Sequence, residues 1–276
     1  MPAPNEITPS QLARLIGTPD CPEIIDICLP EDFAADPRLI PGASRHSHDD
    51  LKGLARSLEG RRAVITCQKG RKLSQGAAAW LASEGIAADY LAGGMYGWHD
   101  MPGSLSLPAA AIPARHEGAT LWVTRHRPKI DRIACPWLIR RFVDRKARIL
   151  YVAPDEVAGV ADRFGATPFD VEGVFWSHRG DDCTFDTMLA EFHLASEPLT
   201  RLAQVIRGAD TNRHDLHPAA AGLLAISVGL SRQFRNDQAQ LAAGLSLYDA
   251  LYRWARDGYD EGHDWPAARA QEAGTA

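Results

Sequence analysis

A cysteine at the end of an apolar segment is the residue of this sequence whose surroundings favour reactivity most clearly. Ala63–Cys67 has the composition of a short buried strand, and the loop after it holds one glycine and three cations, Lys69, Arg71 and Lys72. Consecutive N–H groups in such a loop, next to a helix N-terminus, bind anions and favour a thiolate. This spacing suits attack on a sulfane sulfur or a phosphoryl group. It equally suits a buried strand cysteine that precedes a solvated basic loop.

A second group of residues offers metal-ligand chemistry. Cys183 and Asp186 stand three positions apart at the start of a predicted helix, so they share a face. His178 ends the strand predicted before them, and Asp210 lies just beyond a predicted helix end. Imidazole, thiolate and carboxylate together suit zinc or a similar divalent ion. The alternative is that Cys183 is a core residue, Asp186 caps the helix or pairs with an arginine, and His178 bonds a backbone carbonyl.

One stretch of the chain is basic although the chain as a whole is acidic. Between Arg125 and Arg148 there are nine basic and two acidic residues, which could hold an anion or a phosphate backbone, or could form a solvated helix face. The formal net charge is -5. Residues 1–118 carry 11 Lys and Arg against 14 Asp and Glu, and the remainder carries 19 against 21. We therefore do not expect nucleic acid as a partner.

The elements that must position Cys67 alternate between helix and strand. Thr8, Pro9 and Gln11 form a helix start with a capping box. Short apolar strands are predicted at Glu23–Ile27, Ala63–Cys67 and Asp89–Ala92, with helices at Asp49–Leu58 and residues 73–84 between them. Short apolar strands separated by helices indicate an α/β domain, with a parallel sheet covered by helices on both faces.

The second half of the chain is mixed at first and helical later, which predicts an α+β, mostly helical domain. Strands are predicted at Thr120–Thr124, Arg148–Val152 and Val174–Ser177. One helix is predicted to open at Pro136 and another to span Asp155–Phe164, and helices dominate the chain after Cys183. Proline and small residues mark a linker. We therefore expect domains at residues 1–104 and 120–260, a linker at 105–119 and a tail at 261–276.

Length and composition exclude several classes of protein. The 276 residues include 45% hydrophobic and 24% charged residues, which is ordinary for a folded soluble chain. No apolar run approaches the roughly 18 residues that span a bilayer, and no signal peptide is visible, so we expect no membrane partner. Five scattered cysteines cannot form a disulfide framework, and we expect a reducing cytoplasm.

The first hundred residues resemble a rhodanese domain. The family's features occur here in the family's order. They are Ile25-Asp26-Ile27-Cys28, Glu31-Asp32-Phe33, Ile40-Pro41-Gly42-Ala43, the Cys67 loop, Leu91-Ala92-Gly93-Gly94 and Trp98. The resemblance implies that Cys67 is the sulfur-accepting nucleophile, without a cofactor. A cradle for the substrate would be formed by Gln68, Lys69, Gly70, Arg71 and Lys72. It further implies an anionic donor such as thiosulfate and a thiol or cyanide acceptor.

Three positions depart from the rhodanese pattern. Cys28, Lys72 and Leu73 stand where the family usually has arginine, arginine and serine. Lysine keeps the charge of arginine but lacks its planar fork of donors. The loop of six residues resembles that of the sulfur-handling branch, since the phosphatase relatives have a longer one.

Residues 121–256 resemble the C-terminal domain of chromate-resistance protein B. The phrases that carry the resemblance include Trp122-Val123-Thr124-Arg125, residues 131–142, Pro168-Phe169-Asp170-Val171, His178-Arg179-Gly180, residues 183–186, residues 207–211 and residues 248–252. The resemblance implies a link to chromate resistance, through sensing of the oxyanion or regulation of its export.

The sequence therefore favours a rhodanese-type sulfurtransferase fused to a chromate-resistance domain. Two alternatives stay open. One is a non-enzymatic chromate-responsive regulator, in which the basic run contacts DNA. The other is a metal-dependent activity in the second domain.

Overall fold

The computed structural model describes residues 5–262, and the first region is an α/β unit. Its strands and helices, in chain order, are β1 (Glu6–Ile7), α1 (Pro9–Leu15), β2 (Glu23–Asp26), α2 (Pro30–Ala35), β3 (Arg38–Leu39), β4 (Ala43–Arg45), α3 (Leu51–Ser57), β5 (Ala63–Thr66), α4 (Lys72–Ser83), β6 (Ala88–Leu91), α5 (Gly94–His99) and β7 (Leu107–Pro108).

Five of these strands form one parallel sheet in the order β1-β6-β5-β2-β4. Alternate residues of a strand point to opposite faces. Ile25 and Ile65 accordingly belong to a core covered by α3 and α4, whereas Ile24 and Val64 belong to a second core on the other face. The predicted parallel sheet with helices on both faces is confirmed.

The second region combines a small sheet with a helical half. Its elements are β8 (Arg115–His116), β9 (Ala119–Arg125), α6 (Asp131–Leu138), β10 (Arg148–Val152), α7 (Val157–Phe164), β11 (Thr167–Pro168), α8 (Thr184–Glu191), α9 (Glu197–Asp210), α10 (Ala220–Gln233) and α11 (Asp237–Asp257). Strands β10, β9 and β11 pair in parallel in that order, and β8 pairs antiparallel with β9. The expected α+β, mostly helical second region is confirmed.

Several elements start and end where local chemistry predicts. Thr8 caps α1, and Gln11 completes the capping box. The predicted strand at Arg148–Val152 is β10, residue for residue. The predicted tail lies outside the described residues from position 263 onward, so only its first two residues are described.

Two sequence predictions of structure are wrong. Val174–Ser177 is not a strand; only Trp176 makes an isolated bridge, to Phe169. The helix expected to open at Pro136 starts at Asp131 and runs through the proline. A proline cannot donate to the carbonyl four residues before it. That carbonyl, of Arg132, instead accepts a hydrogen bond of 2.8 Å from the Tyr151 hydroxyl.

One continuous core joins the two regions. It runs from Leu12 and Trp98 in the first region to Trp137 and Phe142 in the second, all of them buried. The chain between the regions contributes β7, which pairs antiparallel with β3, and β8. Arg256 of α11 also donates to the carbonyl of Arg14 in α1 over 3.0 Å.

No helix among residues 5–262 combines the length and the apolar character that crossing a membrane requires.

Gly17 is the tightest point of this join, and its replacement provides a test of the contact. Its φ is +81°, and a Cβ there would overlap the Phe142 ring and lie 2.6 Å from Cε1 of Tyr252. Gly17→Ala should lower the free energy of unfolding by about 2–5 kcal/mol, through backbone strain plus overpacking. Urea denaturation followed by circular dichroism measures the change.

Gly60→Ala is the matched control for this substitution. Gly60 has a φ of +70°, but apart from Gly60 and its two chain neighbours no atom of the described chain lies within 4 Å of the point that a Cβ would occupy. It should therefore cost only the strain, about 1–2 kcal/mol. Equal losses for the two variants would show that the two regions do not press on each other at Gly17.

Candidate functional site

Cys67 is the first residue after β5, at the carboxyl edge of the parallel sheet. All four residues of β5 are buried, and Cys67 itself is 6% exposed. The cysteine opens into a cavity of about 460 Å³. The cavity is lined by Leu29, Asp32, Cys67, Gln68, Lys69, Arg71, Lys72 and Leu73. Sites of parallel α/β sheets form at this edge.

The loop after Cys67 is held against the turn between β6 and α5. The N–H of Met95 donates to the Cys67 carbonyl over 3.0 Å, and the N–H of Tyr96 donates to the Gln68 carbonyl over 3.1 Å. Gly70 has a φ of +61°, and a Cβ on it would lie 2.6 Å from the Leu91 carbonyl oxygen. A Cβ on Gly94 would overlap the Cys67 carbonyl oxygen. The close approach of the two backbones therefore requires glycine at both positions.

The remaining polar groups of the loop are left for a ligand. Within residues 5–262, the backbone N–H groups of Gln68, Lys69 and Arg71 donate no hydrogen bond. The side chains of Lys69, Arg71 and Lys72 are exposed, and no carboxylate of the described chain forms an ion pair with them. The structure thus brings together all the cradle residues predicted from the sequence, with Gly70 as the point of close approach.

Two neighbours complete the surroundings of the thiol. The Cys67 thiol lies 3.2 Å from Oγ of Ser74, a buried residue of α4. Cys28 is buried at the end of the neighbouring strand, β2; burial, together with the charge of Asp26, raises the pKa of its thiol. Arg45 reaches Asp26 at 3.6 Å and donates to the Cys28 carbonyl over 2.7 Å. A guanidinium from β4 therefore lies beside the position where the rhodanese pattern has its own arginine.

In the second region, His178 lies among three carboxylates. Its Nε2 is 3.2 Å from Oδ2 of Asp210, 3.5 Å from Oδ1 of Asp170 and 3.7 Å from Oδ2 of Asp131. Hydrogen bonds to Asp170 and Asp210 raise the pKa of His178 to about 10. Of the predicted metal ligands, His178 and Asp210 are thus brought together.

Cys183 and Asp186 do not join this group. Asp186 accepts from the Cys183 N–H over 3.1 Å, and its other oxygen accepts from Arg207 over 3.2 Å, so it caps α8 and pairs with an arginine. Cys183 is fully buried, and burial with the charge of Asp131 raises its pKa well above the usual value. The structure therefore does not assemble the predicted set of four. A short acidic side chain at the third helix position satisfies the orphan N–H of the helix start.

Asp131 and Asp170 are the two residues of the cluster that sequence reasoning missed. Asp131, Asp170 and His178 each offer one ligand atom, and these three atoms lie within 4.8 Å of one another. Burial and the neighbouring Asp210 and Asp170 raise the pKa of Asp131 well above its usual value. Burial by itself raises the pKa of Asp170, but hydrogen bonds from His178 and Thr184 outweigh that effect, so the pKa of Asp170 is lowered. The signal that could have identified them is their place in the chain, because Asp170 follows strand β11 and Asp131 begins the helix that follows strand β9.

The basic run between Arg125 and Arg148 does not form one charged face. Arg141 makes a bidentate ion pair with Asp249 at 2.8 Å, and Arg125 pairs with Asp170 at 3.3 Å. Another part of the run lines a cavity of about 320 Å³ with no carboxylate of the described chain in its wall. That cavity is lined by His126, Arg127, Lys129, Arg132, Val228, Ser231 and Arg232. The charge of this basic pocket suits an anion.

Comparison with known proteins gives a family match in the second region. Residues 122–255 match the family model of the ChrB C-terminal domain. Protein ChrB of Cupriavidus metallidurans is 34% identical over 146 residues, a match that covers 51% of this chain and 42% of that protein. The chain thus spans less than half the length of this curated relative.

The first region is similar to solved structures. A rhodanese-like domain protein of Staphylococcus aureus is 25% identical, with 36% of this chain and 94% of that chain covered and a TM-score of 0.32. A rhodanese-related protein of Thermoplasma volcanium is 18% identical, with 37% and 97% covered and a TM-score of 0.33. A yeast protein tyrosine phosphatase of the rhodanese family is 16% identical, with 36% and 88% covered and a TM-score of 0.29.

Residues 122–255 therefore carry the match to the ChrB C-terminal domain, and in this chain they follow a parallel α/β region.

Proposed function

We propose that the first region is a sulfurtransferase in which Cys67 carries the transferred sulfur. The observation that carries the proposal is the environment of Cys67. Its thiol opens from the end of a buried strand into a cavity lined by three cations. The backbone N–H groups of Gln68, Lys69 and Arg71 in the same loop donate no hydrogen bond within residues 5–262. This environment suits an anionic sulfur donor such as thiosulfate.

The reaction proceeds in two displacement steps. The Cys67 thiolate attacks the outer sulfur of thiosulfate; a new S–S bond forms, the original one breaks, and its electron pair leaves with sulfite. A thiolate or cyanide then attacks the outer sulfur of the Cys67 persulfide and restores the thiolate. The loop N–H groups stabilise the negative charge as it moves between thiolate and leaving anion. The Ser74 hydroxyl accepts from the Cys67 thiol over 3.2 Å, and by rotating it can donate to the sulfur once the thiol proton has left.

The other four cysteines are poorly suited to this role. Burial raises the pKa of Cys21 to about 11 and raises those of Cys28, Cys135 and Cys183 above their usual values. A thiol with a raised pKa is protonated at neutral pH, and the protonated form is a weak nucleophile. None of the four opens into the cavity lined by the loop cations.

Cys67→Ser should abolish thiosulfate:cyanide sulfurtransfer, because a hydroxyl cannot replace an activated thiol. Intact-protein mass spectrometry after thiosulfate treatment should show one added sulfur atom on the wild type and none on this variant. Cys28→Ser is the matched control and should keep most of the activity. Full turnover by the Cys67 variant would contradict the assignment.

Replacement of both Arg71 and Lys72 by alanine should raise the Michaelis constant for thiosulfate about tenfold or more, since two charges that face the anion are lost. The Michaelis constant for an uncharged organic trisulfide should change much less. Lys52→Ala removes an exposed cation of α3 that does not line the cavity and should change neither value. An unchanged Michaelis constant for thiosulfate would show that backbone groups alone bind the substrate, and an equal rise for both donors would show that the two cations do not act through the charge of the donor.

We propose a second function for the ChrB C-terminal domain, namely binding of a tetrahedral oxyanion such as chromate. The basic pocket supports it, because four cationic side chains and His126 line a cavity to which the described chain contributes no carboxylate. This proposal agrees with the link of the family to chromate resistance. In the alternative in which the protein is a chromate-responsive regulator, the basic pocket would be the chromate-binding site.

Arg232→Ala should weaken binding of chromate, and of sulfate as a competitor of the same shape, about five- to tenfold in equilibrium dialysis. Arg235→Ala is the control, an exposed arginine just beyond α10 that does not line the pocket. Equal affinities of the two variants, or no saturable binding by the wild type, would remove the oxyanion site.

A further inference from the structure

The cluster around His178 contains a buried carboxylate oxygen that the described part of the protein leaves without a partner. Asp131 is fully buried; its Oδ2 accepts from the Phe185 N–H over 3.3 Å, but its Oδ1 has no hydrogen-bond partner among residues 5–262. An unpaired buried acceptor costs about 1–3 kcal/mol, and more when it is charged. The fold keeps this carboxylate in place beside two others, which ordinary packing would avoid.

We propose that Asp131, Asp170 and His178 bind one divalent first-row metal ion, with Asp210 as the neighbouring carboxylate. The three ligand atoms lie within 4.8 Å of one another, a spacing that a single ion can bridge. An ion at this point supplies positive charge to Asp131, whose Oδ2 lies 3.7 Å from Nε2 of His178 and whose Oδ1 has no partner among residues 5–262, and to the two neighbouring carboxylates. This set differs from the His178, Cys183, Asp186 and Asp210 group expected from the sequence.

The two carboxylates are oriented by groups that do not belong to the proposed site. Asp170 accepts from the Thr184 hydroxyl over 2.9 Å at Oδ1, and its Oδ2 lies 3.3 Å from both Arg125 and Arg132. Asp131 is fixed by the backbone at the start of α8. Outer partners of this kind set the direction of metal ligands. The site therefore has its ligands positioned before an ion arrives.

The site is open on one side. The His178 side chain is 41% exposed and that of Asp210 is 19% exposed, whereas Asp131 is inaccessible. An ion can therefore arrive from the His178 side, and water can fill the coordination positions that the protein leaves free. Two carboxylates and one imidazole suit manganese or zinc, since carboxylates favour manganese and imidazole favours zinc.

The competing arrangement uses a proton instead of a metal. A protonated His178, with Arg125 and Arg132, balances the three carboxylates without any ion. The two arrangements differ in one measurable property, because only the metal site binds an added cation at one ion per chain and loses that binding when His178 or Asp131 is changed.

The test uses the full chain after treatment with a chelator and dialysis. Isothermal titration with Mn²⁺, and separately with Zn²⁺, should show one equivalent bound for at least one of the two ions. Bound Mn²⁺ should also lose its free-ion electron paramagnetic resonance signal. His178→Ala and Asp131→Asn should each weaken this binding at least tenfold.

The controls separate loss of a ligand from loss of the fold. His178 is half-exposed, so alanine leaves no buried cavity, and asparagine has nearly the shape of Asp131; circular dichroism should be unchanged for both. Asp182→Asn removes a carboxylate that pairs with Arg207 at 3.0 Å, and it should bind the ion like the wild type. Sulfurtransfer by the Cys67 region should be unaffected in all three variants.

Two results would overturn the site. One is the absence of stoichiometric binding of either ion by the wild type. The other is binding that both folded variants retain, which would place the ion elsewhere, for example on a thiol. In either case protonated His178, Arg125 and Arg132 balance the three carboxylates.

Discussion

Parallel pairing of strands is the constraint on which both sites depend. When strands run parallel, their carboxyl ends meet at one edge of the sheet, and the residues that follow them become neighbours. In the first sheet this places Cys67, after β5, beside the turn that follows β6. In the second it places Asp170, after β11, beside Arg125 at the end of β9. The chemistry of the two regions differs, but both sites follow from this geometry.

Most elements of the fold are predictable from local patterns, and the exceptions share a cause. The capping box at Thr8 and the apolar runs of β5 and β10 carry strong signals. The edge strands β1 and β4 contain two and three residues, too few to show a period. The helix through Pro136 depends on the Tyr151 hydroxyl, which replaces a lost backbone partner from 19 positions away. No local pattern contains that contact.

The two sites also differ in how far the sequence alone reveals them. The Cys67 loop is contiguous, so its cysteine, glycine and cations can be recognised together from the sequence. The His178 cluster draws on residues 131, 170, 178 and 210, which lie far apart in the sequence and which the sheet edge after β11, together with the packing of α6, α8 and α9, brings together. Spacing of three residues correctly puts Cys183 and Asp186 on one helix turn, but it cannot tell a ligand from a cap. The start of α8 needs an acceptor for its N–H groups, and that need decides the direction of Asp186.

The charges of the ChrB C-terminal domain explain why its basic run is divided. Three carboxylates in one partly buried cluster require compensating charge, and Arg125 and Arg132 are drawn from the run to supply part of it. Arg132 also lines the basic pocket, so it stands between a negative cluster and a positive cavity. Arginine suits this position because it stays charged when partly buried and presents several donors in fixed directions. Two other cations of the run, Arg127 and Lys129, remain in the wall of the pocket, where their charge is available to an anion.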